Sequence, residues 1–372
     1  MRTLLWMIGG DLIPGGHRVQ LDQTSRHLRA LGIDADVSFV EETDATAYDV
    51  VHGFGLPPAV IRACRQAGVP VVLSTIYWGK SYTMSIRAPR RSMRQWVARG
   101  RIGLSLLAAG LRNTHADKCD LLLHRLTQFR LMYESADLLL PNSRSEAEAI
   151  HLELGVTTPF YVVPNSVDPA TFTLQEQGDP HRAGVLYAGR IEPHKNQFAL
   201  IQAMSRSAIQ TRIVGPAHRD HAEYHEACRR LAAGTKGRVD VLPGVPHEQL
   251  APLYRSARVH VLPSLFETTG LVSLEAALSG CNIVTTDRGY ARDYFGDLAW
   301  YCDPDDPVSI RQAVEQAHAA PFRAELRERV LANYTWEHTA QATAEAYRSV
   351  LRRAPRAGSV EPDGALVVQP EL

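Results

Sequence analysis

The chain has 372 residues, of which 45% are hydrophobic and 22% are charged. This is the composition of a globular protein, and the length suggests two domains of about 150 residues each, although one is still possible. Forty basic side chains balance forty acidic ones, which argues against a general nucleic-acid binder, and no apolar run approaches the ~20 residues of a membrane-spanning helix.

The beginning of the chain and its cysteines favour a cytoplasmic protein. The short apolar run at the start leads directly into Asp11, whereas a secretory signal has a longer apolar region and a small-residue cleavage site. Five cysteines lie far apart and no pair has CxxC spacing, so no zinc or redox motif is visible. We expect buried, reduced thiols in the cytoplasm.

In the first half of the chain, short apolar runs alternate with amphipathic segments. Strands are predicted at residues 3–8, 33–40, 49–52, 69–77, 136–140 and 160–163. Helices are predicted at residues 22–31 and from Asn142 to Gly155. The strands are apolar at consecutive positions, which is typical of strands buried on both faces of a parallel sheet.

The second half repeats this alternation. Strands are predicted at residues 184–188, 211–214, 239–242, 259–262 and 282–285, and helices at 196–204, 224–233, 247–256, 270–278, 323–333 and 336–352. Repeated strand–helix–strand units predict an α/β fold with two Rossmann-like, doubly wound parallel sheets.

The predicted domain boundary lies near residue 170. We expect an N-terminal domain at residues 1–170 and a C-terminal domain at residues 171–335, with a polar linker at 173–181. The helix at 336–352 is expected to pack back on the first domain. The tail at 354–372 is rich in Pro, Gly and Ala and is expected to be mobile.

A basic segment interrupts the first half. Seven arginines and no acid lie between Arg87 and Arg112, with apolar residues interleaved. One interpretation is a pair of surface helices. The other is a basic amphipathic surface in which Arg90, Arg91 and Arg94 contact an anionic acceptor or the inner face of the membrane.

Three motifs carry chemistry, and the first directly follows the predicted strand at 184–188. It reads Gly189-Arg190-Ile-Glu-Pro-His-Lys195-Asn196. A glycine, two cations and a helix start predict a phosphate site, because backbone N–H groups, the helix dipole and the cations all favour an anion.

The second motif contains two acidic residues, Glu267 and Glu275, around a helix start at Gly270. A carboxylate inside an apolar helix is costly to bury without a partner. The diol of a ribose is a suitable partner for Glu275, and the alternative is a solvent-facing side chain on an amphipathic helix. Free N–H groups at the helix start favour an anion.

The third motif is glycine-rich and lies between the first strand and the first helix: Gly9-Gly10-Asp11-Leu-Ile-Pro14-Gly15-Gly16-His17. Its glycines allow a backbone to approach a ligand closely. The spacing is not GxGxxG, so NAD is a poor fit.

Together these motifs resemble the retaining glycosyltransferases of family 4, the glycosyl transferases group 1. The resemblance covers the chain from about Thr3 to Arg352 and is most specific in the second half. It rests on the E-x7-E pair, the Gly189 motif, and the segments Val163-Pro-Asn-Ser-Val-Asp168 and Ala136-Asp-Leu-Leu-Leu-Pro-Asn-Ser143. The family has the GT-B fold, in which two Rossmann-like domains face each other across a cleft.

The resemblance implies roles for individual residues. Arg190 and Lys195 would bind the donor diphosphate and stabilise it as leaving group, Glu275 would bind the ribose, and Glu267 would contact the transferred sugar. The donor-binding positions that it implies are Gly15, Gly16, Arg190, Lys195, Gly215, Val245, Thr269, Gly270, Leu271 and Glu275.

One departure from the family pattern concerns a histidine near the transferred sugar. Many members carry it after the fourth strand of the first domain, where this chain has Tyr77 and Trp78. His52, at the end of the preceding strand, is a second catalytic candidate, and a satisfied strand-end histidine is an equal interpretation of it. His17 is a weaker candidate.

The resemblance implies retaining, metal-independent transfer of a hexosyl unit from a GDP- or UDP-linked sugar to a hydroxyl acceptor. No base is needed if the leaving phosphate takes the acceptor proton. Cell-surface glycan or lipid-linked saccharide assembly is the expected setting, and secondary-metabolite glycosylation stays open. A non-catalytic sugar-nucleotide-binding subunit and a sugar-nucleotide epimerase also stay open as alternative functions.

The acidic run Asp303–Asp306 is interpreted as a turn and helix N-cap.

Overall fold

The computed structural model describes residues 1–9, 16–79, 115–174 and 182–353. Several predictions concern residues outside these ranges. They include Gly15, the basic segment with Arg90, Arg91 and Arg94, and the tail at 354–372.

The elements in the first part of the chain alternate as predicted. In chain order they are β1 (Arg2–Trp6), α1 (Gly16–Ala30), β2 (Asp34–Ser38), β3 (Val50–Phe54), α2 (Pro58–Gln66), β4 (Val71–Ser74), α3 (His115–Ser135), β5 (Leu138–Leu140) and α4 (Arg144–Leu154).

The first sheet is parallel throughout, with strand order β2-β1-β3-β4-β5. Apolar side chains on both faces are buried, such as Val71 on one face and Val72 on the other, which explains why these strands are apolar at consecutive positions. The chain passes from β1 outwards to β2 and returns to β3 on the other side of β1. Therefore the strand order reverses between β1 and β3.

The second part of the chain repeats the alternation. Its elements are β6 (Val185–Ala188), α5 (Gln197–Met204), β7 (Thr211–Val214), α6 (Ala222–Ala233), β8 (Val239–Leu242), α7 (Leu250–Ser256), β9 (Val259–Leu262), α8 (Leu271–Leu278), β10 (Asn282–Thr286), α9 (Ala291–Phe295), β11 (Trp300–Cys302), α10 (Pro307–Ala319), α11 (Ala324–Asn333) and α12 (Trp336–Arg353).

The second sheet has the order β11-β10-β9-β6-β7-β8, and all its pairs are parallel. The chain runs from β6 outwards through β7 to β8, and then returns to β9 on the other side of β6. The strand order of this sheet reverses between β6 and β9. The predicted α/β class with two doubly wound parallel sheets is confirmed.

The chain divides into two units. One contains residues 1–9, 28–79, 115–162 and 343–353, and the other contains 16–27, 163–174 and 182–342. The predicted boundary at residue 170 and the packing of the helix at 336–352 stay predictions. Within the described ranges, no helix combines the length and the apolar composition needed to cross a bilayer.

Some predicted elements differ in extent from the observed ones, and some observed elements were not predicted. The segment 160–163 is not a strand, and only Phe160 forms an isolated bridge, with Leu139. The predicted strand at 69–77 shortens to β4 because Thr75 and Tyr77 leave the sheet to bond Glu146. Strand β11 and helices α2, α3 and α9 were not predicted.

Candidate active site

The candidate site lies at the carboxyl ends of β6 and β9. These strands are neighbours, with Val185 paired to Val259 and Leu186 to His260. Ligands of open α/β sheets bind outside the carboxyl ends of the strands, where the strand order reverses. The loops that follow β6 and β9 contain the first and second sequence motifs.

Lys195 and Glu267 form an ion pair between these two loops. The Nζ of Lys195 lies 2.8 Å from Oε2 of Glu267, and the hydroxyl of Ser264 donates to the same oxygen at 3.0 Å. Burial alone would raise the pKa of Glu267, but the charge of Lys195 and these hydrogen bonds outweigh it, so that its pKa is lowered. Glu267 is therefore a carboxylate at neutral pH.

Arg190 is the second cation of this region. Its Nη2 lies 3.2 Å from Oε1 of Glu192, and its side chain is 41% exposed. The amide of Gln197 donates to the carbonyl of Arg190 at 2.7 Å and to the hydroxyl of Tyr187 at 2.8 Å. These bonds fix the backbone while the guanidinium stays partly accessible to an anion.

Asn196 connects three loops of the sheet. Its backbone is left-handed, with φ of 60°, and its amide donates to the carbonyls of Pro263 at 3.0 Å and Pro304 at 2.7 Å. The N–H of Leu265 donates to the carbonyl of His194 at 2.9 Å. These bonds hold the loops after β6 and β9 together and so keep Lys195 beside Glu267.

His194 is a neutral neighbour of this pair. Burial, followed by the charge of Lys195, lowers the pKa of His194 to about 4. The imidazole therefore adds no positive charge at neutral pH. Although His194 lies within the first sequence motif, the sequence alone assigned it no role.

The backbone of Glu267 is fixed by the loop after β10. Its N–H donates to the carbonyl of Arg288 at 3.1 Å, and its own carbonyl accepts from the N–H of Tyr290 at 2.8 Å. A Cβ on Gly289 would lie 2.1 Å from the carbonyl oxygen of Glu267. Glycine is therefore required at position 289 for this close approach.

Gly270 precedes helix α8 in a left-handed conformation, with φ of 74°. A Cβ there would lie 3.1 Å from Cδ2 of Leu262. The preceding residue, Thr269, is buried and its hydroxyl accepts from the amide of Asn165 at 3.1 Å. This contact links the Val163–Asp168 segment to the residue before Gly270.

Glu275 lies in α8 and is 6% exposed. The hydroxyl of Tyr254 donates to its Oε2 at 3.0 Å, and Nε2 of His247 lies 2.7 Å from its Oε1. The hydrogen bond to Glu275 raises the pKa of His247. The interpretation of Glu275 as a solvent-facing residue is wrong, because the carboxylate is buried with two partners.

The glycines of the neighbouring turns permit backbone-to-backbone packing. A Cβ on Gly215 would lie 1.8 Å from the carbonyl oxygen of Gly189, and a Cβ on Gly244 would lie 2.7 Å from the nitrogen of Pro216. Val245 follows and packs against the core of the second unit. The loops after β6, β7 and β8 thus approach one another closely at the same edge of the sheet.

Two further donor-binding candidates meet at the start of α8. Gly16, which begins α1, belongs to the second unit together with Leu271. A Cβ on Gly16 would lie 3.3 Å from Cδ1 of Leu271. The side chain of His17 and the whole of Gly15 are outside the described residues.

His52 lies in the first unit and is 1% exposed. Its Nδ1 shares a hydrogen bond of 2.7 Å with the hydroxyl of Tyr347, and its Nε2 shares one of 2.8 Å with that of Ser74. Burial lowers the pKa of His52 to about 3. The structure matches the satisfied strand-end histidine, with both ring nitrogens engaged.

Tyr77, the other catalytic candidate of the first unit, is also 1% exposed. Its hydroxyl donates to Oε2 of Glu153 at 2.7 Å, and its backbone N–H donates to Glu146 at 2.8 Å. Trp78, by contrast, is 42% exposed. Burial of Tyr77 and its bond to Glu153 weigh against contact of its phenol with a sugar.

The acidic run after β11 has a structural role. Asp306 caps α10 by accepting from the N–H of Val308 at 2.9 Å, and Arg288 pairs with Asp303 and Asp305 at 2.6 and 2.7 Å. The predicted turn and N-cap are confirmed. In the described part of the chain, no group of three His, Cys, Asp or Glu residues is arranged to hold a metal ion.

Comparison with known proteins relates this site to a family. Residues 175–334 match the family model for glycosyl transferases group 1. The D-inositol 3-phosphate glycosyltransferase of Acidothermus cellulolyticus is 26% identical over 91% of this chain and 86% of its own length. The alpha-maltose-1-phosphate synthase of Mycolicibacterium smegmatis is 24% identical over 86% of this chain and 83% of its own.

Solved structures share the fold. Sucrose-phosphate synthase from Thermosynechococcus elongatus matches with a TM-score of 0.72 at 17% identity, covering 95% of this chain and 99% of that one. Anabaena HepE in complex with UDP and glucose matches with a TM-score of 0.66 at 16% identity, covering 94% and 100%. The predicted GT-B class is confirmed at the level of two Rossmann-like parallel sheets.

Proposed function

We propose that this chain, which is similar to the glycosyl transferases of group 1, moves a hexosyl unit from a UDP- or GDP-linked sugar to a hydroxyl acceptor with retention of configuration. The observation that carries this proposal is the Lys195–Glu267 pair, 2.8 Å long, at the reversal point of the second sheet. Arg190 lies in the same loop as Lys195, and helix α8 begins shortly after Glu267.

The cations act on the leaving group. Breaking the bond between sugar C1 and the diphosphate oxygen leaves negative charge on the phosphate. Lys195 and Arg190 stabilise that charge as it develops, and fixed charges of this kind usually contribute most to the rate of such a transfer. Because the chain supplies both cations, we propose that transfer is metal-independent.

Glu267 acts on the sugar. Its carboxylate is ionised and held in place by Lys195 and Ser264. It accepts hydrogen bonds from hydroxyls of the transferred sugar and faces the positive charge that develops on the ring. The N–H groups of Thr269, Gly270 and Leu271 complete the donor contacts.

Glu275 binds the nucleoside. A carboxylate that accepts both hydroxyls of a ribose gains about 1.5–3 kcal/mol for each such bond. Burial within α8 and the bond from Tyr254 orient the carboxylate before the ligand arrives. Gly215 and Val245 frame the nucleobase through backbone and loop shape.

The proton follows the leaving group in this proposal. A new bond forms between sugar C1 and the acceptor oxygen on the face from which the diphosphate departs, and the acceptor proton passes to the departing phosphate oxygen. No side-chain base is required. This route is compatible with His52 and Tyr77 being occupied inside the first unit.

The second substrate is the hydroxyl-bearing acceptor. Two relatives are named for D-inositol 3-phosphate glycosyltransfer and alpha-maltose-1-phosphate synthesis, so phosphorylated polyols and sugars belong in an acceptor panel. Lipid-linked saccharides belong there too, because the basic segment with Arg90, Arg91 and Arg94 suits an anionic acceptor at a membrane surface.

A thermal-shift screen with UDP, GDP, ADP and dTDP tests donor binding. A ligand at 100 times its dissociation constant stabilises the folded state by about 2.7 kcal/mol and raises the melting temperature by a few degrees. We expect a shift with UDP or GDP that is lost in Arg190→Ala and Glu275→Ala. The absence of a shift with all four would contradict the proposal.

A second candidate function is a non-catalytic sugar-nucleotide-binding subunit. The observation that favours it is that His52 and Tyr77 are both 1% exposed and hydrogen-bonded. This candidate predicts nucleotide binding without release of nucleoside diphosphate across the whole acceptor panel. Turnover with any acceptor would exclude it.

A further inference from the structure

The two oxygens of Glu275 have partners of different kinds. Tyr254, which donates to Oε2, is fully buried and lies between the rings of Phe172 and His260, with centroids at 5.9 and 5.6 Å. Burial and the nearby Glu275 raise the pKa of Tyr254, so its hydroxyl remains a donor. This partner is fixed in the core.

His247, the partner of Oε1, is not fixed in this way. Its side chain is 52% exposed and lies on the short 3-10 helix His247–Gln249, which precedes α7. It bonds Glu275 at 2.7 Å and makes an edge contact with Phe172 at 5.2 Å. A rotation of this side chain towards solvent would release Oε1 without moving the core.

We infer that His247 is a positioning residue that occupies Oε1 of Glu275 in the free protein and yields this oxygen to the ribose diol when the donor binds. This inference rests on the proposed function, because it requires that Glu275 receives a nucleoside. It goes beyond that function by assigning a competing role to His247, which is not among the proposed donor contacts.

The charges around His247 give this exchange a pH dependence. Glu275, Glu248 and Asp168 all act on His247, and together with the hydrogen bond to Glu275 they raise its pKa above the ordinary 6.5. Protonation strengthens the bond to Glu275, since hydrogen bonds between ionised groups are the stronger ones. A released imidazole in solvent returns to an ordinary pKa.

The direction of the pH effect on donor affinity follows from the thermodynamic linkage between proton binding and donor binding. If the free protein holds the proton more tightly than the complex does, donor binding releases protons. Affinity is then highest above the raised pKa of His247 and falls as pH falls through it. One released proton changes affinity by at most about tenfold per pH unit.

Calorimetric titration of UDP-glucose and GDP-glucose between pH 5.5 and 8.5 tests the inference. These sugar nucleotides are suitable because their diphosphates are esterified at both ends and carry no proton that titrates in this range. The wild type is compared with His247→Gln, and His225→Gln on α6 is the control for loss of a histidine elsewhere. The ring protons of His247, followed by NMR, report its pKa with and without ligand.

The expected result is an affinity that falls toward pH 5.5 in the wild type and in His225→Gln, and stays nearly level in His247→Gln. At pH 5.5 the His247→Gln protein should bind about three- to tenfold more tightly than the wild type, and the pKa of His247 should fall on binding. Equal pH slopes, or weaker binding of His247→Gln at every pH, would overturn the inference and leave the function intact. Failure of both sugar nucleotides to bind would overturn both.

Discussion

The Nζ of Lys195 and the Oε2 of Glu267 lie 2.8 Å apart, although the two residues follow different strands and are separated by 72 positions. Their strands, β6 and β9, are neighbours because the strand order of the second sheet reverses there. The reversal therefore brings the two loops together, and a carboxylate lies beside an ammonium at the kind of sheet edge where open α/β proteins bind ligands.

The Lys195–Glu267 pair should be energetically coupled. Glu267 is 9% and Lys195 20% exposed in their side chains, and losing one partner leaves the other charge buried and unpaired. A double-mutant cycle with Lys195→Met and Glu267→Gln, measured by urea unfolding, should give a coupling energy of about 1–3 kcal/mol.

The exposed Arg230–Glu226 pair has the same N–O distance of 2.8 Å and serves as the matched control. Its cycle should give about 0.3–0.5 kcal/mol, as for other exposed pairs one helical turn apart. Equal coupling in the two cycles would contradict the view that burial makes the first pair rigid.

Position 196 should tolerate glycine better than alanine. Both substitutions remove the hydrogen bonds to Pro263 and Pro304, but only alanine adds strain at a φ of 60°. Asn196→Ala should therefore be less stable than Asn196→Gly by about 1–2 kcal/mol. Urea unfolding of the two variants measures this difference, and a more stable alanine variant would contradict it.

Glu146 should give the first unit a pH-dependent stability. It is fully buried and accepts from Thr75, Tyr77 and Asn142, and burial raises its pKa to about 7. Because this pKa exceeds the ordinary 4.5 of the unfolded chain, its stabilising contribution is complete below about pH 4.5 and is lost as pH rises to about 7.

Glu146→Gln removes this titration and turns an N–H donor towards the backbone donors of Tyr77 or Asn142. It should cost about 1–3 kcal/mol at pH 5 and less at pH 8, because the wild type itself has then lost stability. Urea unfolding at both pH values measures this. The exposed Glu148→Gln in the same helix is the control, and a cost that grows with pH would contradict the prediction.

His52 should act on stability and not on catalysis. Its folded pKa of about 3 lies below the ordinary 6.5, so its contribution is present above pH 6.5 and is lost as pH falls through the acid range. His52→Gln should destabilise the protein by about 1–3 kcal/mol at pH 7.5 and leave kcat unchanged. Loss of kcat in a protein that is still folded would restore His52 as a catalytic candidate.

Local sequence signals predicted much of the fold and named several residues that the structure places in the candidate site. Buried strands of parallel sheets are recognisable from consecutive apolar residues, and the turn after β6 combines a glycine with two cations in few residues. The E-x7-E pair falls on a loop and the helix that follows it. These features are encoded within short stretches, which is why Arg190, Lys195, Glu267 and Glu275 could be named as candidates from the sequence.

What sequence reasoning missed depends on contacts between distant segments. His247 meets Glu275 across 28 positions, and nothing in the residues around His247 indicates a partner. Asn165 reaches Thr269 across 104 positions. His52 could not be decided because its partner Tyr347 is 295 positions away. A signal existed only for Asn165, which lies in a segment that carries the family resemblance.

The most direct test of the account is the release of nucleoside diphosphate from UDP-glucose and GDP-glucose in the presence of the acceptor panel, followed by NMR so that the configuration of the product is read in the same spectrum. We expect release with one donor and an axial, retained linkage. Lys195→Met should slow release about 10²–10³-fold, while the exposed Arg230→Met keeps the wild-type rate. Equal rates in the wild type and Lys195→Met, or an inverted product, would contradict the account.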